Sequence, residues 1–321
     1  MIKNTFVKAI ALVLTAALLL AGCGSPAPAS SQSVSSAPSE STASSQSAAP
    51  TESQPDQAVP EKIVSLAPSN TQILLALGLG DKLVAVDKYS AKLEGVPQGL
   101  PLFDIMTPDA ELLVALEADI ILTTGMSSAK GEDPFVTVRD AGVRVHNTNT
   151  AKTIQEIRDS VVDIGAQVGR ADEAAALLVE MDKTIEAVAA IGSTITDKKR
   201  VYFEIAAAPS AYSFGSGVYL NEMLELLGAE NILADQENWL SVSEEAVLAA
   251  DPQVILTNVD YLDDPAGEIK ARAGWNVITA VKENQVYVLP KNPTSLPNHT
   301  MAEGLVLMAK AIYPEEYKDL A

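Results

Sequence analysis

Two histidines and one cysteine supply all the imidazole and thiol chemistry in 321 residues. His146 and His299 stand far apart, and no pair of histidines has metal-ligand spacing, which argues against a bare zinc or manganese site. Cys23 has no second cysteine to bond, and its place behind an apolar run removes it from catalysis. The chain has no Gly-x-Ser-x-Gly elbow, no glycine-rich phosphate loop ending in Lys-Ser or Lys-Thr, and no His-Glu-x-x-His. Its acids form no paired pattern that would suit general acid and base work. These absences point to a protein that binds rather than one that breaks bonds.

The residues suited to holding a ligand lie just beyond short apolar runs that read as strands. Ser69 and Asn70 follow Ile63, Val64 and Leu66, while Tyr89 follows Leu83 to Val86 and Met126 follows Ile120 to Thr123. Tyr212 comes after Val201 to Ile205, Asn258 and Tyr261 after Val254 to Thr257, and His299 after Gln285 to Leu289. In α/β sheets the binding crevice lies outside the carboxyl ends of the strands, so these positions are the candidate ligand contacts. None is Lys or Arg, which favours an uncharged ligand. Trp239 is a further candidate, with two readings: an aromatic contact to a ligand, or a plug in the core.

The elements that must place these residues alternate strand and helix from Lys62 onward. A helix through Ile73, Leu74 and Leu77 ends at Gly78, and Thr107 with Pro108 opens another, which runs into Asp119 to Thr123. Val143 to Val145 closes the first sheet. Ile154, Ile157, Val161, Ile164 and Val168 mark a helix that Thr153 and Glu156 begin as a capping box. Next comes the longest stripe, Ala171, Ala174, Leu178, Met181, Ile185, Val188 and Ile195, at alternating steps of three and four. Asp172 and Glu173 lie in its first turn, and Lys198, Lys199 and Arg200 follow its end, as the helix dipole prefers.

Beyond that helix the pattern restarts. Thr107 to Thr124, TPDAELLVALEADIILTT, aligns without a gap on Ser241 to Asn258, SVSEEAVLAADPQVILTN. Glu111 meets Glu245, and Ile121, Leu122 and Thr123 meet Ile255, Leu256 and Thr257. The repeat implies two similar α/β lobes joined by a single long α-helix, with the ligand in the cleft between them. With Ser241 as cap, Glu244 completes a capping box, whereas Glu111 and Glu245 lie one place further on, without such a task.

The front of the chain is of another kind. Lys3 and Lys8 precede the apolar run Ala9 to Leu20, which is too short for a comfortable membrane span, and Leu20, Ala21 and Gly22 lead to Cys23. This pattern is an export signal. From Gly24 to about Pro60 the chain is Ser, Ala, Pro and Gln, too poor in apolar side chains to offset the entropy of ordering, which predicts a disordered tether. The expected division is 1–22 signal, 23–60 lipidated Cys23 and tether, 61–168 first lobe, 169–197 linking helix and 198–321 second lobe. Hydrophobic residues make up 47%, ample for buried cores, while 42 acids against 22 bases argue against nucleic acid or an anionic membrane as partner.

Three segments carry a resemblance to a known family: KIVSLAPSNTQILLALGLGDKLVAV near the start, TPDAELLVALEADIIL in the first lobe, and LLGAENILADQENWLSVSEEAVLAADPQVIL in the second. Together they resemble the substrate-binding lipoproteins of ABC importers for vitamin B12, ferric siderophores and haem. The resemblance covers essentially everything after the tether, and Leu20 to Cys23 resembles the bacterial lipoprotein cleavage box. It implies a lipid anchor at Cys23 on the outer face of the cytoplasmic membrane, a permease dimer with its ATPase subunits as partner, and no cofactor of the protein's own. The ligand is then a cobalt corrinoid, favoured because the crevice candidates are uncharged, or an iron chelate such as a ferric siderophore or haem. A stand-alone scavenging or sensor lipoprotein is the remaining alternative.

The resemblance also gives roles to residues. Glu111 and Glu245 match the acids with which each lobe meets arginines of one permease subunit; the plainer reading is two acids that favour helix N-termini. Trp239 stands at the spacing of a pocket tryptophan in the corrinoid binders and Tyr212 near another of their aromatics, but Thr124 occupies a place where some carry Trp. His299 is an axial ligand to cobalt or haem iron, a polar contact to a side chain of the ligand, or a solvated loop histidine, and His146 is read as solvated.

Overall fold

The structure, a computed structural model, describes residues 58–320 other than 129, 130 and 132. The expected signal, Cys23 and all but the end of the tether lie outside the described residues. The first sheet is built from β1 (Ile63–Ser65), β2 (Leu83–Asp87), β3 (Leu102–Phe103), β4 (Ile120–Thr124) and β5 (Arg144–Thr148). Its helices are α1 (Pro68–Ala76), α2 (Ala110–Ala115) and α3 (Val136–Asp140). After α4 (Ile154–Gln167) and α5 (Ala171–Gly192) come β6 (Arg200–Glu204), β7 (Tyr212–Phe214), α6 (Tyr219–Leu226), β8 (Glu230–Asn231) and β9 (Trp239–Ser241). The chain ends through α7 (Glu244–Ala250), β10 (Val254–Thr257), α8 (Pro265–Ala271), α9 (Thr279–Lys282), β11 (Val286–Val288), α10 (Lys291–Ser295) and α11 (Met301–Ile312).

Both large sheets are parallel and share one strand order. The first runs β3-β2-β1-β4-β5 and the second β11-β10-β6-β8, so that β2-β1-β4-β5 and β8-β6-β10-β11 correspond strand for strand. The aligned repeat supplies β4 and β10, each paired on both sides. Covered on both faces, they are buried along their whole length, which is why both read as unbroken apolar runs rather than as alternation.

Helix α5 spans about 33 Å at the usual rise and touches two cores. Ala174, with Leu177 and Leu178 beside it, belongs to the core of Ile63, Leu74 and Ile164, whereas Met181, Ile185 and Val188 belong to that of Phe203, Leu224 and Leu305. Helix α4 runs beside it and divides the same way, Ile154 and Ile157 packing in the second core and Val161 and Ile164 in the first. The link between lobes is therefore a helix pair over part of its length. Gly165 allows this close approach, and Gly192 allows that of α5 to the end of α6. A Cβ on Gly165 would stand 2.4 Å from that of Ala174, and one on Gly192 would stand 2.0 Å from the carbonyl oxygen of Leu226.

Several expected helix ends move. Helix α5 stops at Gly192 rather than near Ile195, because the hydroxyls of Ser193 and Thr194 donate to the carbonyls of Ala190 and Ile191 and compete with the helical pattern. Thr107 does not cap α2; Asp109 does, accepting from the backbone N–H of Glu111 (3.0 Å) and Leu112 (3.1 Å). Ser243 rather than Ser241 caps α7, accepting from Ala246 N–H, which leaves Glu244 at the first helical position and forms no capping box. Thr153 does cap α4, but Glu156 reaches back to the N–H of Lys152 instead of that of Thr153. Both new caps obey the repeat, and Glu111 and Glu245 each occupy the second position of their helix.

Candidate ligand-binding cleft

Parallel strands bring all their carboxyl ends to one edge of each sheet. At the edge of the first sheet, buried Asp87 accepts from the N–H groups of Tyr89 (2.8 Å) and Ser90 (3.0 Å) and from the Ser90 hydroxyl. Ser90 shares a hydrogen bond with Thr71 (2.8 Å), which donates to Ser65 (2.8 Å). This buried network turns the chain and leaves the Tyr89 ring 70% exposed. Asn70 is spent locally: its amide donates to the Thr123 carbonyl (3.4 Å) and the Thr148 hydroxyl (3.2 Å), tying α1 to β4 and β5. Met126, just past β4, is half exposed.

At the edge of the second sheet, Glu204 ends β6 almost fully buried, held by Arg272 at 2.6 and 2.8 Å. Arg272 also bonds Glu268 and lies 4.6 Å over the ring of Trp275. Tyr261 accepts from the N–H of Ala207 through its hydroxyl (2.8 Å), which pins two strand-end loops together while most of the ring stays exposed. Asn258, expected to face the ligand, is buried, and its amide donates to Thr294 and to the Ser295 hydroxyl (2.9 Å). It holds the end of α10 instead.

Tyr212 and Trp239, far apart in sequence, meet on a two-stranded antiparallel sheet that sequence periodicity did not reveal, because each strand is only three residues long. The register sets Phe214 opposite Trp239 and Tyr212 opposite Ser241, so Tyr212 and Trp239 are diagonal neighbours on one face. Trp239 rests edge-on against buried Phe214 (5.9 Å, 75°), which rests against Phe203 (5.7 Å). Its own ring remains 39% exposed, which fits a wall better than a plug.

The lobes touch at the segment after α10. Gln72 of α1 accepts from the Asn298 amide (2.6 Å) and the Thr300 hydroxyl (3.4 Å). Thr300, just ahead of α11, has helical dihedrals and does not cap it, and its hydroxyl also donates to Asn298. Ser295, Leu296 and Pro297 face Ser69, Asn70 and Met126 across a cavity of about 200 Å³. A larger, open recess of about 650 Å³ lies among α4, α5 and α6, lined by Ile154, Arg158, Ile185, Glu222 and Glu225, and none of the strand-end candidates borders it.

Neither histidine has a metal-like setting, and among the described residues no three His, Cys, Asp or Glu are grouped to hold a metal. His146 lies within β5, partly buried rather than solvated, and pairs through Nε2 with Asp163 (2.6 Å). His299 is mostly buried rather than a solvated loop residue, its Nδ1 meets no partner, and burial pushes its pKa down to about 4. It is neutral at pH 7. Since the unfolded state takes up this proton near pH 6.5 and the folded state only near 4, stability should fall as pH drops through that window, by up to about 3 kcal/mol. His299→Gln should flatten the pH dependence of the urea midpoint between pH 7 and 4; an unchanged slope would show that His299 does not contribute.

Charged partners at the strand ends went unseen in the sequence. Lys291 bonds Asp260 (2.6 Å) and holds its carboxyl below the usual range, and Lys88 bonds Asp104 (3.3 Å). Basic groups thus do stand near the edges, each answered by an acid that comes close only on folding.

The periplasmic binding protein family model matches residues 63–293. The chain belongs to that family. It shares 32% identity with an uncharacterized ABC transporter substrate-binding lipoprotein, YvrC, of Bacillus subtilis, over 96% of this chain and 98% of that one. Identity with a vitamin B12-binding protein of Vibrio cholerae is 31%, over 71% of this chain and 80% of the relative. A solved structure from Staphylococcus epidermidis, described as a possible iron-binding periplasmic solute-binding protein, superposes with a TM-score of 0.69 at 29% identity, covering 79% of this chain and 99% of that one. The architecture is the two-lobed α/β fold of periplasmic binding proteins, and the chain is a binding protein rather than an enzyme. Among the described residues of this periplasmic binding protein, no helix is long and apolar enough to cross a membrane.

Proposed function

We propose that this protein, the substrate-binding component of an ABC importer, captures a cobalt corrinoid in the cleft between its lobes. The observation that carries the reading is the set of exposed rings at the strand ends. Tyr89, Tyr212, Trp239 and Tyr261 keep between 37% and 70% of their surface in water, a costly use of aromatic area unless a flat apolar ligand covers it. The likeness to a vitamin B12-binding protein points the same way. Ser69, Met126 and the rings are the proposed contacts; Asn70, Asn258 and His299 act by shaping the cleft, and His299 is not proposed to ligate metal. Cys23 is the proposed lipid anchor on the outer face of the membrane, and Glu111 and Glu245 the proposed contacts to a permease dimer.

Absorption spectra of the full chain in detergent, titrated with cyanocobalamin, haemin and ferric siderophores, test the ligand. A shift with cyanocobalamin alone supports the reading, and saturable binding of only an iron chelate would replace it. Trp239→Ala should weaken corrinoid binding by about 2 kcal/mol, the scale of a buried aromatic hot spot, with the fold intact. Unchanged affinity would return Trp239 to the role of a cover over Phe214.

A further inference from the structure

The helix pair α4 and α5 carries the covalent link between the lobes, and a second, non-covalent crossing lies between α10 and α11. Before it, Thr294 and Ser295 are tied to the Asn258 amide at the end of β10. Leu296 then packs against the first-lobe core of Ile73 and Leu74, and Met301 rejoins the second-lobe core of Leu224 and Leu305. Between them Asn298 is fully buried, and its amide donates to Gln72 of α1 at 2.6 Å. The Asn298 carbonyl oxygen accepts from the N–H and the hydroxyl of Thr300, both at 2.8 Å, so one side chain also holds the turn into α11. His299, between the two, adds no bond through Nδ1 and depends on its neighbours for its place. The same stretch borders the cleft. Ser295, Leu296 and Pro297 line the cavity opposite Ser69 and Asn70, whereas Gln72, further along α1, does not line it.

We infer that Gln72 is a positioning residue for ligand capture: by accepting from Asn298 it clasps this stretch to α1 and fixes the gap between the two strand-end edges before a ligand arrives. The clasp depends on the acceptor, because a buried amide N–H left without one is more unfavourable than the bond itself is favourable, and the stretch must then shift to find another. A preformed cleft spares the ligand the ordering of its walls. Losing the clasp should therefore weaken binding although no contact to the ligand is removed. The effect on affinity rests on the corrinoid reading, and the effect on the gap does not.

The test uses the full chain in detergent with Cys23→Ser, so that spin labels on Glu94→Cys of the first lobe and Glu283→Cys of the second are the only ones. Both positions are exposed. Without ligand, Gln72→Met, which keeps the length and removes the acceptor, should broaden the distribution of label distances. Gln72→Glu, which keeps an acceptor oxygen, should leave it as in the native chain. Gln72 is only partly buried, so urea midpoints should show both variants folded. In chains without labels, Gln72→Met should bind cyanocobalamin about tenfold more weakly, and Gln72→Glu as the native chain does. A merely structural side chain would move the urea midpoint and neither of these readouts. An unchanged distribution in Gln72→Met, equal broadening in both variants, or unchanged affinity beside a broadened distribution would overturn the inference. Failure of the native chain to bind cyanocobalamin would overturn the corrinoid reading, and the label distances would still decide the clasp.

Discussion

Glu111→Ala combined with Glu245→Ala should leave ligand binding in solution normal and nearly abolish ligand-dependent ATP hydrolysis by the reconstituted transporter. Both carboxylates are exposed, at the same position of two helices with equivalent caps, on units whose sheets share a strand order. Two like contacts on a pseudo-symmetric protein would match two like subunits of the proposed dimeric permease. One exposed ion pair is worth about 0.2 to 1 kcal/mol, but two presented on one rigid body act together, so losing one should weaken docking and losing both should remove it. Glu244→Ala is the control. Glu244 sits beside Glu245 yet aligns with Ala110 in the first unit, so it has no counterpart, and its loss should leave transport almost unchanged. Normal ATP hydrolysis by the double variant, or an equal loss in the control, would reduce the two acids to helix-terminal charges. Binding without any response from a permease would favour a scavenging or sensing lipoprotein.

Arg272→Met should destabilise the fold by about 3 to 5 kcal/mol, the cost of leaving a buried carboxylate without its partner. Glu204 is 1% exposed at the end of a central strand, and the 2.6 and 2.8 Å bonds from Arg272 are its charge compensation. The Tyr202 hydroxyl, at 3.4 Å, adds little. The double change Arg272→Met with Glu204→Gln should recover much of the loss, because it removes both charges together. Urea unfolding of the two single variants and the double variant measures this coupling. A single-variant loss below about 1 kcal/mol would show that water reaches Glu204 and that the pair does not fix this end of the sheet.

The linking helix, the two alternating lobes and the central strands were legible because their signals are local and periodic. The stripe from Ala174 to Val188 needs only one helix with two cores to cover it, and the runs ending at Thr124 and Thr257 need only a sheet covered on both faces. Helix ends were less legible, since Asp109 and Thr107, or Ser243 and Ser241, are chemically similar caps two residues apart, and packing chooses between them.

What the sequence by itself determined, then, is the kind of protein and the places where strands end, because patterning and repeats act over short distances. Only the tertiary structure decided which strand-end side chains are left for a ligand. It set Tyr212 diagonal to Trp239 across a two-stranded ribbon, turned Asn258 inward to hold Ser295 and shielded most of His299 from water. It also matched Arg272 to Glu204 across 68 residues and left the buried hydroxyls of Thr124 and Tyr219 without a partner. Hydrogen bonds and charge pairs between distant residues depend on exact distance, and no periodicity in the chain encodes distance between residues that meet only when it folds.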